Sequence, residues 1–486
     1  MTATTSAAPG CAASRGTETI AERWAEYRAA FERYQTRELT GPELAVWDQH
    51  RLAGVLGHVT AHSPFYREHL AGFDPAAVSP ADLPALPFTT KEDLRRESHR
   101  VLSGPMSDAA IYYETTGTTG ASTPCPRGPL DILTSNAHVI EAWRRVFGQV
   151  CADLDRMPVV GLLGPSELYA FGDVFGAVAQ ELGACHVKLW PESPRVGFAK
   201  ALRLLKELRV EVIVCSPALC VSLAKAAQFH GYDLERDFAV RAFLVLGEIC
   251  TPAFAANVST LWPGARVYPA LYGSQEALCL ATGCVEQRLH LSRLNYLPEV
   301  IDPRTGRSLG SAGEGELCVT MLIDGIKPLI RYRTGDLVRL DMQPCGCDAP
   351  GPVVEVLGRA GDRIEIGDRG VLPVQLETAV LTGLTGCLGY QLVIDSTDGT
   401  DFVEVRVDLT ARRAAETAAA RIGIAERMRK LCGVPIHVHL EPEIDPITTT
   451  GSFVSWKAAR IQDLRNEPDA AARTAREVSP RYAVTS

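Results

Sequence analysis

The chain has 486 residues, 46% of them hydrophobic and 22% charged, the balance of a folded protein with two or three domains. Lysine and arginine number 49 against 58 aspartates and glutamates, a net of −9 with no basic stripe, so neither nucleic acid nor an anionic membrane is an expected partner. No apolar stretch is long enough to span a bilayer. The N-terminal M-T-A-T-T-S-A-A-P-G lacks the charged and apolar regions of a signal peptide, and the 14 cysteines are scattered, so a cytoplasmic protein with reduced thiols is expected.

Residues 1–22 read as a disordered tail. From about Arg23 to Arg96 the pattern is helical, with apolar positions at helical spacing from Glu43 to Leu70 and a break at Pro64. A Pro-rich link (Pro75, Pro80, Pro84, Pro87) leads to Thr89-Thr90-Lys91-Glu92-Asp93, where one of the threonines caps a helix. The middle alternates short apolar strands with helices. Strands are expected at Pro158–Leu163, Val210–Cys215, Val240–Leu246 and Arg266–Pro269; helices at Phe171–Leu182, Gly197–Leu208, Pro217–His230 and Pro252–Leu261. This is the signature of an α/β fold with a parallel sheet covered by helices and ligands at the carboxyl ends of its strands.

From Pro298 the texture turns to strand and turn, which predicts an antiparallel β region beside the first domain. Gly358-Arg359-Ala360-Gly361-Asp362 marks a boundary. Residues 23–357 are expected as a large N-terminal domain. Residues 358–465 are expected as a small α+β lid alternating strand, helix, two strands, helix and strand to about residue 441. Residues 466–486 are expected as a tail or frayed helix.

Tyr113 to Pro124 reads Y-E-T-T-G-T-T-G-A-S-T-P. Thr115, Thr116, Thr118 and Thr119 alternate with Gly117 and Gly120, so backbone N–H groups and hydroxyls can converge on a polyphosphate. It lacks the Gly-Lys-Ser/Thr of a Walker loop, and taken alone it also fits a plain surface turn. Further on come A-L-Y-G-S-Q-E-A (Ala270–Ala277), R-Y-R-T-G-D-L (Arg331–Leu337), G-R-A-G-D-R-I (Gly358–Ile364) and a late lysine, Lys457.

In this order the motifs resemble the adenylate-forming superfamily, and specifically its phenylacetate–coenzyme A ligase branch. H-V-T-A-H-S-P-F-Y-R-E-H-L (His58–Leu70), L-P-F-T-T-K-E-D-L-R (Leu86–Arg95) and Y-L-P-E-V-I-D-P-R-T-G carry the branch, and the resemblance covers roughly residues 45 to 465. It implies ATP-dependent activation of an aromatic or arylalkyl carboxylic acid as an acyl-adenylate, then transfer to coenzyme A. Two alternatives stay open: an amine or another small nucleophile such as nitrite as acceptor, or a nucleotide-binding homologue without catalysis. ATP, Mg²⁺ and coenzyme A are the implied cofactors, and a homodimer is open.

The resemblance also assigns roles. ATP or AMP would contact Thr115 to Gly120, with Thr116 catalytic, and Gly247, Glu248 and Ile249 beside adenine. Tyr272 would stack on the base through its aromatic face, followed by Gly273 and Ser274. Glu276 is a hard oxygen ligand for Mg²⁺, and Asp336, an acceptor-only carboxylate, suits a ribose diol. Arg359 would contact ribose or phosphate. Tyr169, Ala170 and Phe171 would line the acyl pocket, or equally start a helix with core aromatics.

Lys457, in K-A-A-R-I-Q-D, is aligned with the adenylation lysine of relatives. A second alignment puts Ser452 after Gly451 and leaves no lysine. Two departures concern the second half-reaction: Ala121 stands where relatives often place lysine, and Gly361 occupies the hinge position where aspartate or lysine is common. Finally, Cys284, His290, Cys345 and Cys347 form C-x5-H and C-x-C pairs, a donor set for structural zinc that some members of the branch share. Scattered inert thiols are the other reading.

Overall fold

The computed structural model describes residues 18–115, 122–410, 414–440 and 460–465. Thr116, Gly117, Thr118, Thr119, Gly120, Ala121, Gly451, Ser452, Lys457 and the expected C-terminal tail lie outside the described residues. The chain begins with α1 (Ile20–Gln35), α2 (Gly41–His62), α3 (Pro64–His69) and α4 (Lys91–Glu97). Thr19, Thr40 and Thr90 each cap their helix and close a capping box with the acid three residues on, so the polar punctuation fixes these starts. Pro64 sits at the first position of α3, where its missing N–H costs nothing.

A hairpin, β1 (Ile111–Glu114) with β2 (Pro124–Arg127), brackets the Thr/Gly segment and leads into α5 (Pro129–Val150). Neither the hairpin nor this long helix was among the expected elements. The alternating region follows: β3 (Val160–Leu163), α6 (Phe171–Glu181), β4 (His186–Lys188), α7 (Gly197–Glu207), β5 (Val212–Cys215), α8 (Pro217–Phe229), β6 (Ala242–Val245), α9 (Pro252–Leu261) and β7 (Arg266–Pro269). All the neighbouring strands pair in parallel, in the order β4-β3-β5-β6-β7. The inner strands Val160–Leu163, Val212–Cys215 and Ala242–Val245 are buried at every position, as a sheet covered on both faces requires. The chain builds outward from β3 to β4 and then returns to its other side for β5. The topological switch point therefore lies between β3 and β5.

Eight strands form an antiparallel sheet: β8 (Leu271–Ser274), β9 (Leu278–Gly283), β10 (Leu289–Leu291), β11 (Tyr296–Ile301), β12 (Ser308–Gly310), β13 (Gly313–Met321), β14 (Tyr332–Asp341) and β15 (Val353–Arg359). The N-terminal helices pack on it: Leu52, Leu56, Val59 and Tyr66 share a buried cluster with Val300, Leu317, Val319 and Tyr332. Beyond a 3-10 turn at Ala360–Asp362 come β16 (Ile364–Ile366), β17 (Arg369–Val371), α10 (Pro373–Leu381), β18 (Cys387–Thr397), β19 (Thr400–Leu409), α11 (Ala414–Cys432), β20 (Ile436–His439) and β21 (Ile461–Asp463).

β20, β19, β18 and β21 make a four-stranded sheet. Its outer strands run parallel to their neighbours, and β21 completes it about twenty residues after the last expected strand, within the expected 358–465 lobe. This lobe lies against α8 and α9. Val221, Phe254 and Val258 share one apolar cluster with Leu376, Val380 and Leu392. Asn257 and Cys387 exchange two hydrogen bonds of 2.9 Å across the same junction. Among the described residues no helix is long and apolar enough to cross a membrane.

Candidate active site

Three of the segments expected at the site follow strands of the parallel sheet. Tyr169, Ala170 and Phe171 follow β3, and Gly247, Glu248 and Ile249 follow β6. Tyr272, Gly273 and Ser274 lie in β8, two residues after β7. The β1–β2 hairpin is attached to them at its base. Thr115 N–H donates to Thr123 O at 3.2 Å, and Thr123 N–H donates to Thr115 Oγ1 at 2.9 Å. Glu114 N–H donates to Leu168 O at 3.0 Å, tying the hairpin to the segment that precedes α6. The buried Arg127 donates to Gln275 O, which ties it to the loop of Glu276.

Asp336 and Arg359 are register partners in β14 and β15, and Arg359 Nε lies 3.4 Å from Asp336 Oδ1. Tyr272 reaches over from β8, its hydroxyl donating to Asp336 Oδ2 at 2.7 Å. Burial pushes the Asp336 carboxyl above its usual range, and Arg359 and the Tyr272 hydroxyl oppose that rise. Ile249 comes within 4.0 Å of the position a side chain on Gly358 would take, so the segment after β6 meets the end of β15. Tyr272, Asp336 and Arg359 thus meet at one place, and Ile249, more than a hundred residues before Arg359, approaches the same strand end at Gly358. Gly273 is required there: a Cβ would stand 1.9 Å from Leu278 O across the β8–β9 bulge.

Glu276 is buried in the β8–β9 turn, and Lys91 Nζ lies 2.9 Å from its Oε1. Lys91 is the first residue of α4. It is delivered by Thr89, which bridges in parallel to Tyr332: Thr89 N–H donates to Arg331 O and Arg333 N–H to Thr89 O, both at 3.0 Å. Burial raises the Glu276 carboxyl, but Lys91, with help from Lys327, overcomes this and holds it below the ordinary value. Lys327 is itself fully buried. It donates to Pro124 O, lies 3.6 Å from Cys125 Sγ, and has its ammonium pKa lowered by desolvation. Lys91, Lys327 and Arg127 therefore make an electropositive floor around Glu276, suited to phosphate oxygens.

Sequence reasoning missed these three cations. Lys91 stood inside the quoted T-T-K-E-D motif, where it was read only as part of a cap. Lys327 and Arg127 left no signal, because only the tertiary fold brings them beside Glu276.

In the acyl segment Ala170 precedes α6 and Phe171 packs edge-on against Phe175, ring centroids 5.1 Å apart. Tyr169 is partly buried, and burial with the nearby Glu114 carboxylate raises its phenol. Gly361 sits in the 3-10 turn after β15, and a Cβ there would meet nothing within 4 Å. This conformation does not demand glycine at that position.

Away from this site, Cys284, His290, Cys345 and Cys347 converge, all buried, with their donor atoms within 4.8 Å of one another. Cys347 Sγ and His290 Nε2 are 3.3 Å apart, and His290 Nδ1 lies 3.2 Å from Gly351 O. That carbonyl can accept a hydrogen bond from Nδ1–H, which keeps the proton on Nδ1 and leaves Nε2 free as a ligand, the arrangement found around zinc-bound histidine. Three thiols and an imidazole at this spread fit a tetrahedral ion, with Zn–S bonds of about 2.3 Å. Of two other cysteines, Cys279 is buried and Cys250 partly buried.

No family model matches the chain. It is 27% identical over 453 residues to a phenylacetate–coenzyme A ligase from Thermus thermophilus, covering 87% of this chain and 97% of that one. An Escherichia coli phenylacetate–coenzyme A ligase is 25% identical over 442 residues, covering 87% and 95%. Among solved structures, a 2-hydroxyisobutyryl-CoA ligase in the postadenylation state, in complex with 2-HIB-AMP, superimposes with a TM-score of 0.74 at 20% identity, covering 93% of this chain and 94% of that one. The same ligase with 2-HIB-AMP and CoA in the thioesterification state gives 0.61 at 22% identity, covering 92% and 94%. The fold is the one seen in these adenylate-bound acyl-CoA ligases. In sequence the chain is similar over most of its length to phenylacetate–coenzyme A ligases.

Proposed function

We propose that this protein is an AMP-forming acid–coenzyme A ligase. It activates a small aryl or arylalkyl carboxylic acid with ATP, releases pyrophosphate, and passes the acyl group to coenzyme A to give a thioester and AMP. The observation that carries this reading is the convergence of Ile249, Tyr272, Asp336 and Arg359, beside a buried Glu276 set among cations. Such a place can hold a nucleotide by base, ribose and phosphates together. The names of the curated relatives support the acid class and the acceptor.

In the first half-reaction the substrate carboxylate attacks the α-phosphorus in line, and pyrophosphate leaves. Asp336 and Arg359 hold the ribose, and Gly247, Glu248, Ile249 and Tyr272 enclose the base. Fixing both partners removes most of the entropic barrier. Thr115 and its loop neighbours through Gly120, together with Lys91, are assigned to the phosphate oxygens, where charge develops. Lys457 is assigned to the carboxylate and α-phosphate. Glu276 is the residue that would hold Mg²⁺, which neutralises phosphate charge when bound. Tyr169, Ala170 and Phe171 are assigned to the acyl pocket. Residues 358–465 are proposed as a lid that rotates at Gly361 for the second half-reaction. Cys284, His290, Cys345 and Cys347 are proposed to hold a structural zinc, because a closed set of four ligands leaves no position for substrate.

ATP–pyrophosphate exchange with benzoate, phenylacetate, cinnamate and amino-substituted analogues tests the first half. Exchange with none of them sinks the reading. Product analysis with and without coenzyme A then tests the acceptor: a thioester supports it, and an amide or nitrite product formed without coenzyme A replaces it.

A further inference from the structure

Arg460 immediately precedes β21 and is 4% exposed, a burial that costs a charged side chain its hydration and is rare unless the charge is compensated. Its guanidinium carbon stands 5.7 Å from the centroid of the Tyr390 ring. The Tyr390 hydroxyl donates to Glu377 Oε2 at 2.7 Å. Glu377, fully buried on α10, accepts at Oε1 from Thr251 Oγ1 at 2.8 Å and from Thr251 N–H at 3.3 Å. Thr251 follows the segment Gly247–Cys250 directly. Glu248 Oε2 accepts from Ala218 N–H at 3.3 Å, and the positive charge of Arg460 opposes the burial that lifts the Glu248 carboxyl. Arg460 also lines a crevice with Ala218, Phe254 and Asn257 on the large lobe and Leu388 and Tyr390 on the small one.

The partners of this one cation are therefore drawn from both lobes. Glu248 belongs to the segment assigned to the base, and Glu377 and Tyr390 belong to the small lobe. A guanidinium is charged at every working pH and cannot relieve its burial by losing a proton. With the lobes docked as here, it lies over the Tyr390 ring, and Tyr390 is joined through Glu377 to Thr251, the residue that ends the Gly247–Cys250 segment. We infer that Arg460 is a positioning residue for adenylation, fixing the Gly247–Ile249 segment from the small lobe while that lobe is docked. This rests on the ligase reading above and deepens it.

The test separates the two half-reactions in the full-length protein. Arg460→Met is expected to lower ATP–pyrophosphate exchange by about 10-fold or more, chiefly through a raised KM for ATP. Thioester formation from supplied acyl-adenylate and coenzyme A, at saturation, should stay within about two-fold, and Arg460→Lys should recover part of the exchange. Glu377→Gln, which keeps shape and removes charge, should show the same one-sided pattern, and it serves if Arg460→Met folds poorly. Unchanged exchange in an active background, or parallel loss of both half-reactions without rescue by lysine, overturns the assignment. Wild-type protein that exchanges with no acid fails the ligase reading instead, so the two failures are told apart.

Discussion

Lys91 and Glu276, 185 positions apart in sequence, meet at 2.9 Å with the carboxylate buried and the lysine side chain 38% exposed. The exposed ammonium is free to leave the carboxylate for a phosphate oxygen, whereas Glu276 is held by the fold. Ala121 stands in the Thr/Gly segment where relatives often carry a lysine, and Lys91 is the cation proposed here to meet phosphate charge. Lys91→Ala should slow ATP–pyrophosphate exchange by about 100-fold, in line with losing one charge-stabilising donor, and Lys91→Arg should restore part of it. Steady-state exchange kinetics would decide this. A variant with wild-type rates takes Lys91 out of the chemistry.

Tyr272→Phe removes only the hydroxyl that donates to Asp336 Oδ2. One hydrogen bond to a charged group contributes about 1.5–3 kcal/mol, and Arg359 remains near the other oxygen, so part of the positioning survives. The expected result is a KM for ATP raised by about 10-fold with kcat nearly unchanged, because the contact orients ribose in ground state and transition state alike. Loss confined to kcat would instead place Tyr272 against the reacting atoms.

The alternating strands and helices were legible because fully buried parallel strands leave short apolar runs, such as Val212–Cys215, bounded by Pro or Gly. The helices Pro217–Phe229 and Pro252–Leu261 announce themselves with proline in the first turn. α5 was not read: its buried face includes Asp131, Thr134, Ser135, Asn136 and His138, which blur an apolar stripe. β21 escaped because three residues show no periodicity, and its place is set by pairing with β18. Asp336 and Glu276 were singled out through motif order. Lys327, Arg127 and Arg460 were not, because a buried cation is written in the sequence like an exposed one. Only the fold shows which anions and carbonyls repay its desolvation.

The cysteine–histidine set should carry one zinc per chain. Cys345→Ser or Cys347→Ser should abolish it and lower Tm, since structural zinc contributes directly to folding. Elemental analysis of purified protein, with thermal unfolding before and after chelation, measures both quantities. The site lies apart from Tyr272, Asp336 and Arg359, so exchange activity per folded molecule should survive mild chelation followed by Mg²⁺ replenishment. Purified protein with no metal above background, and a Tm indifferent to chelator, removes the zinc.

Two glycines should behave oppositely. Gly273→Ala drives a Cβ into Leu278 O, which is backbone and cannot swing aside, so destabilisation of more than about 3 kcal/mol is expected. Gly361→Ala meets open space and should change stability by less than about 1 kcal/mol. Gly361→Pro goes further by fixing φ. If residues 358–465 rotate there, thioester formation should fall while exchange persists. Full rates in both half-reactions would move the hinge elsewhere.

Glu248 gives the fold a pH dependence with a definite sign. Burial pushes its carboxyl from 4.5 up to about 7, with Arg460 pulling it down and Glu192 and Glu377 adding to the rise. The folded state thus binds this proton more tightly than the unfolded state does. The stabilisation is fully present below about pH 4.5 and is lost as pH rises through about 7. Glu248→Gln keeps an acceptor for the Ala218 N–H and never ionises. Its stability relative to wild type should therefore climb between those two values, by on the order of 1–3 kcal/mol, and level off above them. Constant costs of the substitution, including the lost anion beside Arg460, shift this curve without changing its slope. Denaturant melts of the two proteins at pH 4.5, 5.5, 6.5 and 7.5 trace it. A difference that stays flat across the series would show that folding does not raise the Glu248 carboxyl, which would then be fully ionised near Arg460 at neutral pH.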